Sequence, residues 1–226
     1  NAAFIKEDPK SSPRVTRLKY GSLIYWDKIK QKLSSNLIKL LSSLHFIHKI
    51  VPMSGVISRL RKIRMLVLDV DGILTDCRTY LGDDGEWKRF FSIRDGYGIK
   101  MLVDSGYKVG IITGTIAKDI QERRKALHVH YFYEGKLDKL PSFQQMLKDA
   151  ELEADQVAYM GDDLFDLPVL KAAGFSATVP DAMDEVLPLV HYTTKRPAGN
   201  GAVREVCDLI LKYGPLEKHF EKENTK

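Results

Sequence analysis

Short apolar runs alternate with longer helical patterns along the chain from residue 64 onward. The apolar runs hold four to seven residues and are bounded by Gly, Asp or Thr, which is typical of buried strands. The predicted strands are residues 65–70, 107–113, 130–133, 157–161, 175–179 and 191–194, and the predicted helices are residues 95–105, 116–127, 138–150, 163–173, 182–187 and 202–213. This alternation predicts βαβ units and therefore an α/β fold, a doubly wound parallel sheet of the Rossmann-like type.

One insertion interrupts the alternation after the first predicted strand. Residues 78–91 contain two extended runs, RTYL and EWKRFF, on either side of the turn sequence GDDG. Two extended runs around an acidic, glycine-containing turn predict a β-hairpin.

The first 52 residues have a different pattern. Residues 1–20 are polar and contain two prolines, which predicts a flexible segment, whereas residues 22–51 repeat apolar side chains at helical steps with lysines between them. That pattern predicts a basic amphipathic helix, but its charges exclude a transmembrane span, so we expect no stable membrane insertion. Three hypotheses remain: a segment that lies on an anionic membrane or another subunit, a targeting peptide, or leader sequence upstream of a start at Met53.

The positive charge of the chain is concentrated in this extension. Residues 1–52 hold ten Lys or Arg against three Asp or Glu, whereas residues 53–226 hold 25 against 27. The net charge of +5 therefore does not indicate a nucleic-acid surface on the α/β domain, which we place at residues 53–226. The chain has two cysteines, too few for a disulfide framework, so we expect a reducing compartment, the cytoplasm.

Polar residues follow four of the predicted strands at the edge where ligands bind in open α/β sheets. They are Asp69, Asp71, Thr113, Asp138, Lys139, Asp162, Asp163 and Asp166. Carboxylates packed this closely repel one another unless a cation lies among them, and oxygen ligands without His or Cys favour Mg²⁺. A metal ion beside a lysine and a hydroxyl suits a phosphoryl group, and the remaining carboxylates can act as nucleophile and as acid and base.

The motifs DVDG, IITG, a single lysine and GDDLFD follow one another in this order. In that order they resemble the four motifs of the haloacid dehalogenase superfamily of aspartyl-phosphate phosphatases, over about residues 62–213. The resemblance implies that Asp69 is the nucleophile and that Asp71 protonates the leaving alcohol and then deprotonates water. It also implies that Thr113 binds the phosphoryl oxygens and that Lys139 steadies Asp69 and the phosphate.

The same resemblance implies a Mg²⁺ site. Asp69 and Asp162 would ligate through their carboxylates, Asp71 through its main-chain carbonyl, and Asp163 through water or by supporting the ligands. Asp166 stays open between membership of this set and a helix N-terminal acid stabilised by the helix dipole.

Four other polar residues have ordinary structural interpretations. Asp76 is predicted to be the acid of a polar turn. His128, His130 and His191 lie in or beside predicted strands, where packing is the expected role rather than metal ligation.

The chain has no room for a cap domain over the predicted site. Only about 22 residues separate Asp71 from Arg94, and about 25 separate Gly114 from Lys139. A capless monomer leaves the site open to water, so we expect closure by a neighbouring subunit.

The stretches DGILTD, FSIRDGYGIK and GAVREVCDLIL resemble a capless subgroup of the superfamily. This resemblance implies a homotetramer with the hairpins at its centre that hydrolyses the phosphate ester of an eight-carbon 2-keto-3-deoxy sugar acid for lipopolysaccharide synthesis. Arg94 and Asp95 would lie beside the pocket mouth, with Arg94 pairing with the sugar-acid carboxylate.

The predicted substrate-binding residues are Arg94, Gly114, Arg196 and Gly199. The last two belong to a Gly-rich stretch, residues 196–201, which resembles a segment that reaches an adjacent subunit's active site in the subgroup. The sequence departs from the subgroup pattern at three positions, Cys77, Thr115 and Asn200.

Two alternatives stand beside this prediction. One is a phosphatase for a nine-carbon sugar acid, against which the Arg94-Asp95 pair argues, and the other is a noncatalytic tetramer-forming module, against which Asp69 and Asp71 argue. A P-loop enzyme is disfavoured because no G-x-x-x-x-G-K-[ST] sequence is present.

Overall fold

The computed structural model describes residues 53–216 of the 226-residue chain. The extension predicted for residues 1–52, with its flexible segment and its basic helix, lies outside the described residues, and its three hypotheses stand as stated. Within residues 53–216, every helix is too short or too polar to span a lipid bilayer.

Six parallel strands form the central sheet in the order β5-β4-β1-β6-β7-β8. Its strands are β1 (Met65–Leu68), β4 (Lys108–Ile112), β5 (Tyr131–Tyr133), β6 (Val157–Met160), β7 (Phe175–Thr178) and β8 (Tyr192–Thr193), and the hairpin strands are β2 (Thr79–Leu81) and β3 (Trp87–Arg89). The chain runs from β1 outward to β4 and β5 and then returns to β6 on the other side of β1. The polar loops after β1, β4 and β6 therefore lie at the point where the strand order reverses.

Helices cover both faces of the sheet, which confirms the predicted doubly wound fold. The helices are α1 (Met53–Leu60), α2 (Ile93–Asp104), α3 (Lys118–Ala126), α4 (Leu140–Ala150), α5 (Leu167–Ala172) and α6 (Ala202–Tyr213). One hydrophobic core joins α1, α2, α3 and α6 to one face, and includes Leu60, Leu102 and Val206. The other core joins α4 and α5 to the opposite face, and includes Phe143 and Leu170.

The predicted hairpin is present as β2 and β3, which pair antiparallel with Thr79 opposite Arg89. The turn is closed by a hydrogen bond from Gly82 N to Glu86 O of 2.9 Å, and Gly85 supplies a φ of 77° that other residues rarely adopt. Because Arg89 is the last residue of β3, its place at the base of the hairpin brings it to the edge of the sheet that carries the acids.

Two helix predictions were wrong in detail. No helix forms over residues 182–187; the segment makes a turn in which Val186 N donates to Met183 O at 2.9 Å, and a short 3₁₀ turn follows at Leu187–Leu189, with Pro188 in its first turn, where the missing N–H costs no hydrogen bond. The helix predicted for residues 163–173 is divided into a 3₁₀ turn, Leu164–Asp166, and α5, with Pro168 in the first turn of α5.

Helix α1 was not predicted. Its sequence, MSGVISRL, is short and buries only Val56 and Leu60, which is too few apolar positions to define a period.

Candidate active site

The ends of β1, β4 and β6 and the loop after β5 bring the predicted residues together at one edge of the sheet. Asp69 directly follows β1, and its N–H donates to Met160 O at 3.0 Å, which continues the pairing of β1 with β6. Thr113 follows β4, Lys139 precedes α4, and Asp162 lies two residues after β6. All four side chains are at least nine-tenths buried.

Lys139 pairs with two carboxylates at once. Its Nζ lies 2.8 Å from Asp69 Oδ1 and 2.7 Å from Asp166 Oδ1. Burial lowers the pKa of Lys139, but the charges of Asp69 and Asp166 outweigh burial and hold the pKa above its ordinary value. Lys139 therefore carries a positive charge beside the predicted nucleophile.

Asp69 is stabilised by Lys139 but repelled by the other acids. Burial, followed by the charge of Asp166, raises the pKa of Asp69 to about 7, although Lys139 acts in the opposite direction. A carboxylate with this pKa needs further positive charge to remain an anion at neutral pH.

Asp166 is the buried anchor of the site. Its Oδ1 accepts from Lys139 Nζ and from Tyr159 OH at 2.5 Å, and its Oδ2 accepts from Asp162 N at 3.0 Å and Asp163 N at 3.2 Å. Gly161 leaves room for this carboxylate, because a Cβ there would lie 2.3 Å from Asp166 Cγ. Four donors and complete burial make Asp166 more than a solvated acid at a helix end.

Sequence patterns left the role of Asp166 open, although one signal pointed to it. Tyr159 lies within the apolar run VAYM, and a buried tyrosine hydroxyl needs a partner. Burial and the charge of Asp166 raise the pKa of Tyr159 well above its ordinary value, so the hydroxyl stays protonated and donates a hydrogen bond to Asp166.

Asp162 carries an oxygen that the protein leaves without a donor. Among residues 53–216, Asp162 Oδ1 is buried and has no hydrogen-bond partner. Burial and the charges of Asp69 and Asp166 raise the pKa of Asp162 to about 8. Gly72, with a φ of +92°, lets the loop after β1 approach Asp162, since a Cβ there would lie 2.0 Å from Asp162 Oδ2.

This oxygen set fits Mg²⁺. One oxygen from each of Asp69, Asp162 and Asp166 lies within 4.8 Å of the others, and within the described part of the chain the cation paired with this cluster is Lys139. Buried oxygen ligands without His or Cys suit a hard cation, and the unpaired Asp162 Oδ1 is available to one. Because Asp166 is committed to four protein donors, Asp69 and Asp162 are the carboxylates that can ligate.

The structure separates Asp163 from this cluster. Its Oδ1 accepts from Leu164 N at 2.5 Å within its own turn, and its side chain is only partly buried. Direct ligation by Asp163 would require this turn to rearrange, and the two predicted roles, ligation through water and support of the ligands, stay predictions.

Asp71 is held by groups that sequence analysis did not find. Arg89 Nε donates to Asp71 Oδ1 at 2.6 Å and Arg89 Nη2 to Asp71 Oδ2 at 3.2 Å, while Thr115 Oγ1 donates to Oδ2 at 3.1 Å. Arg89 Nη1 also reaches Asp119, at 3.2 Å from Oδ1. Burial lowers the pKa of Arg89, but the carboxylates of Asp71 and Asp119 outweigh it and raise the pKa.

Thr113 is arranged to donate a hydrogen bond. Its Oγ1 accepts from Thr115 N at 3.2 Å, so its own hydroxyl proton remains available to another acceptor. The backbone of Gly114 lies close to the side chain of Leu137, because a Cβ at position 114 would lie 3.0 Å from Leu137 Cδ2.

The remaining predicted substrate residues lie at different places. Arg94 is exposed in the first turn of α2, and among the described residues its guanidinium has no hydrogen-bond or ion-pair partner. Asp95, predicted beside the pocket mouth, is instead buried and accepts from Gly201 N at 3.0 Å and Arg204 N at 2.8 Å. Asp95 therefore holds the N-terminus of α6.

The Gly-rich stretch packs against its own chain. Gly199 has a φ of 61°, and its N–H donates to Ile73 O at 3.2 Å. A Cβ on Gly199 would lie 2.7 Å from Asp76 N, so glycine is needed for this stretch to lie on the loop after β1. Arg196 is exposed, and its carbonyl accepts from Thr194 Oγ1 at 2.7 Å.

The residues for which a structural role was predicted lie in a turn or within backbone hydrogen-bond networks. Asp76 Oδ1 accepts from Arg78 N at 3.2 Å, which forms a polar turn. His130 Nδ1 accepts from Val109 N at 3.1 Å and His191 Nδ1 accepts from Ser176 N at 3.0 Å, so both packing histidines complete backbone hydrogen bonds.

The parallel sheet and its strand-end acids define the class, which a family model independently matches. The model for haloacid dehalogenase-like hydrolases matches residues 129–206. The 3-deoxy-D-manno-octulosonate 8-phosphate phosphatase KdsC of Yersinia pestis is 46% identical over 156 residues, which cover 69% of this chain and 83% of that protein.

Solved structures agree with this match. The 3-deoxy-D-manno-octulosonate 8-phosphate phosphatase of Moraxella catarrhalis, in complex with a magnesium ion, a phosphate ion and a KDO molecule, has a TM-score of 0.70 and 36% identity, and the match covers 72% of this chain and 93% of that one. The cobalt-bound form of the phosphatase from Haemophilus influenzae has a TM-score of 0.66 and 37% identity, and the match covers 69% of this chain and 91% of that one. The chain therefore belongs to the 3-deoxy-D-manno-octulosonate 8-phosphate phosphatase family of haloacid dehalogenase-like hydrolases.

Proposed function

We propose that this protein is a Mg²⁺-dependent phosphatase that hydrolyses 3-deoxy-D-manno-octulosonate 8-phosphate to 3-deoxy-D-manno-octulosonate and phosphate in lipopolysaccharide biosynthesis. The observation that carries the proposal is the buried ion pair of Asp69 with Lys139 beside the unpaired Asp162 Oδ1. This arrangement supplies a nucleophile, a fixed positive charge and an unpaired oxygen that is available to a metal ion, in a chain 46% identical over 156 residues to the 3-deoxy-D-manno-octulosonate 8-phosphate phosphatase of Yersinia pestis.

In the first step, a carboxylate oxygen of Asp69 attacks phosphorus, and the bond between phosphorus and the sugar oxygen breaks. Asp71 gives its proton to the departing oxygen, so the products are the free sugar alcohol and an acyl phosphate on Asp69. Lys139 and the Thr113 hydroxyl offset and bind the charge on the phosphoryl oxygens. A magnesium ion bound by Asp69, the Asp71 carbonyl and Asp162 would supply Lewis-acid charge to the same oxygens.

In the second step, water attacks the phosphorus of the acyl phosphate. Asp71, now a carboxylate, takes the proton of that water, and the bond between phosphorus and the Asp69 oxygen breaks. Inorganic phosphate leaves, and Asp69 returns to its carboxylate form while Asp71 returns to its protonated form. One pair of aspartates thus serves both transfers.

Recognition of the sugar acid is assigned to Arg94, together with Gly114, Arg196 and Gly199. The exposed guanidinium of Arg94 has no partner among residues 53–216, so it is available to a carboxylate through a bidentate fork. Gly199 contributes through its backbone, because a Cβ at position 199 would lie 2.7 Å from Asp76 N and no side chain fits there.

The assembly is proposed to be a homotetramer in the cytoplasm. Large apolar side chains are exposed on and beside the hairpin, namely Tyr80, Leu81, Trp87, Phe90 and Ile93. An exposed patch of this kind on a short hairpin is expected to be covered by other subunits. Cys77 and Cys207 are both free thiols, in keeping with a reducing compartment.

The test is phosphate release from a panel of sugar phosphates with Mg²⁺ or with EDTA. The wild type is expected to release phosphate only with Mg²⁺, and Asp69→Asn is expected to release none, while the exposed control Asp155→Asn keeps wild-type activity. A higher kcat/KM for the nine-carbon acid phosphate would reject the substrate, and no release from any sugar phosphate would favour the noncatalytic module.

The division of the chain has its own test. A chain that begins at Met53 is expected to keep full activity and tetramer mass by light scattering. Loss of either would place residues 1–52 in the working enzyme.

A further inference from the structure

We propose that Arg89 is the positioning residue for Asp71: its guanidinium, anchored by Asp119, fixes the orientation in which Asp71 acts as acid and base. The inference rests on the proposed phosphatase function and adds a residue from the hairpin to its machinery. No motif of the four strand ends includes Arg89, which reaches the site from the end of β3.

The guanidinium of Arg89 forms a fork with the Asp71 carboxylate. Arg89 Nε and Nη2 donate to the two different oxygens of Asp71, at 2.6 Å and 3.2 Å. A guanidinium that donates to both oxygens of a carboxylate fixes the plane of that carboxylate as well as its distance. The Arg89 side chain is only 5% exposed, whereas that of Asp71 is 32% exposed, so the buried partner holds the accessible one.

Arg89 is itself held in place by Asp119. Its Nη1 lies 3.2 Å and 3.3 Å from the two oxygens of Asp119, and its backbone N–H donates to Asp119 Oδ2 at 3.0 Å. Asp119 Oδ1 also accepts from Ile120 N at 2.8 Å, which ties the carboxylate to the first turn of α3. Asp119 therefore restricts the rotation of the guanidinium while Asp71 accepts from its other N–H groups.

Two hydroxyls contact the same carboxylate at one oxygen each. Thr115 Oγ1 donates to Asp71 Oδ2 at 3.1 Å, and Thr75 Oγ1 lies 3.4 Å from Asp71 Oδ1. Neither hydroxyl reaches both oxygens. Within residues 53–216, Arg89 is therefore the side chain that donates to both oxygens of Asp71 at once.

A positioning role makes a kinetic prediction that a merely structural role does not. A sugar alkoxide is a poor leaving group and needs the proton of Asp71, whereas p-nitrophenolate leaves without one. The value of kcat/KM reports only the steps up to transfer of the phosphoryl group to Asp69, so it excludes the later use of Asp71 as a base.

The experiment measures kcat/KM of the full chain with Mg²⁺ for 3-deoxy-D-manno-octulosonate 8-phosphate and for p-nitrophenyl phosphate. Arg89→Met is expected to lower kcat/KM for the sugar ester about 100-fold, the scale of general acid catalysis, and to change that for p-nitrophenyl phosphate less than about 3-fold. Arg89→Lys should recover part of the sugar-ester activity, because an ammonium restores the charge without the fork. The matched control is Arg78→Met, an exposed arginine on the same hairpin whose side chain is 86% exposed, and it should leave both values unchanged.

Thermal melting and circular dichroism accompany the kinetics. If Arg89→Met does not fold, the same comparison of kcat/KM for the two esters is made with Asp119→Asn and Arg89→Lys. Equal losses for both esters in a folded variant, or no loss for either, would overturn the inference while leaving the proposed function intact. A wild type that releases phosphate from neither ester would overturn the proposed function and the inference with it.

Discussion

The substitution Asp166→Asn removes one charge from a carboxylate that serves four donors. The carbonyl oxygen of asparagine can accept from Lys139 and Tyr159 or from the backbone N–H groups of residues 162 and 163, but not from both pairs. The amide NH₂ then faces two donors, so two buried hydrogen bonds of about 1 kcal/mol each are lost. Lys139 also loses one of its two carboxylates, although it keeps Asp69 at 2.8 Å.

Two effects decide the size of the change. Removing one partner of a buried ion pair costs about 3–5 kcal/mol, and the remaining Asp69 contact puts this case at the lower end. Repulsion of Asp69 and Asp162 by Asp166 is relieved, which returns part of that cost. The expected loss is therefore about 3 kcal/mol of unfolding free energy, or about 10 °C in Tm for a domain of this size.

Urea and thermal denaturation, followed by circular dichroism in EDTA, measure this loss. Asp155→Asn is the matched control, because the Lys62–Asp155 pair is 3.0 Å long but exposed, and such pairs contribute about 0–1 kcal/mol. A Tm for Asp166→Asn within about 2 °C of the control would refute the reasoning that four donors depend on this carboxylate.

Four further predictions follow from the same edge of the sheet. Burial raises the pKa of Asp69 to about 7 and that of Asp162 to about 8, so the folded chain binds protons more tightly than the unfolded chain. The stability in EDTA should therefore fall as the pH rises from about 4 to about 8. A urea midpoint that does not change over this pH range would contradict the prediction. Inorganic phosphate should raise the Tm when Mg²⁺ is present and not in EDTA, as a thermal shift assay can measure. Gly72→Ala, with φ at +92° and its Cβ 2.0 Å from Asp162 Oδ2, should lose about 1–2 kcal/mol of stability in urea and most phosphatase activity. Cys77→Gly should gain about 0.5 kcal/mol, because Cys77 has a φ of 60° and glycine adopts that backbone at little cost; a loss of urea stability would count against it.

The residues that follow the strands could be placed from the sequence because parallel strands present their carboxyl ends at one edge. Once residues 65–70 and 157–161 were identified as parallel strands, Asp69 and Asp162 were expected at the same edge of the sheet, and the pairing of β1 with β6 brings them close together. The hairpin was also local information, since its turn and its two runs lie within 14 residues, 78–91. The helix predicted over residues 182–187 was wrong, because six residues are too few for an apolar pattern to separate a helix from a turn.

Neither the partners of Asp71 nor the acid that anchors Arg89 could be placed in this way. Arg89, Thr115 and Asp119 come from the hairpin, the loop after β4 and the start of α3, and no periodicity relates these three elements. Their meeting depends on how the hairpin packs against α3, which is a tertiary fact. Arg94 differs from Arg89 in both respects. The resemblance predicted a role for Arg94, but among the described residues its side chain has no partner.

The charge of the site explains what an anionic ester needs in order to bind here. Lys139 is shared by two carboxylates, Asp69 and Asp166, and the guanidinium at the base of the hairpin is shared by two more. Both cations are thus already outnumbered, and Asp162 adds a further acid with an oxygen that has no donor among residues 53–216. A phosphate group would be repelled from this edge unless more positive charge arrived, and Asp162 Oδ1 marks where a divalent cation would be bound. The basic extension at residues 1–52 is therefore not required to explain binding of an anionic ester, because a divalent cation bound at Asp162 would offset the charge of the phosphate at the site itself.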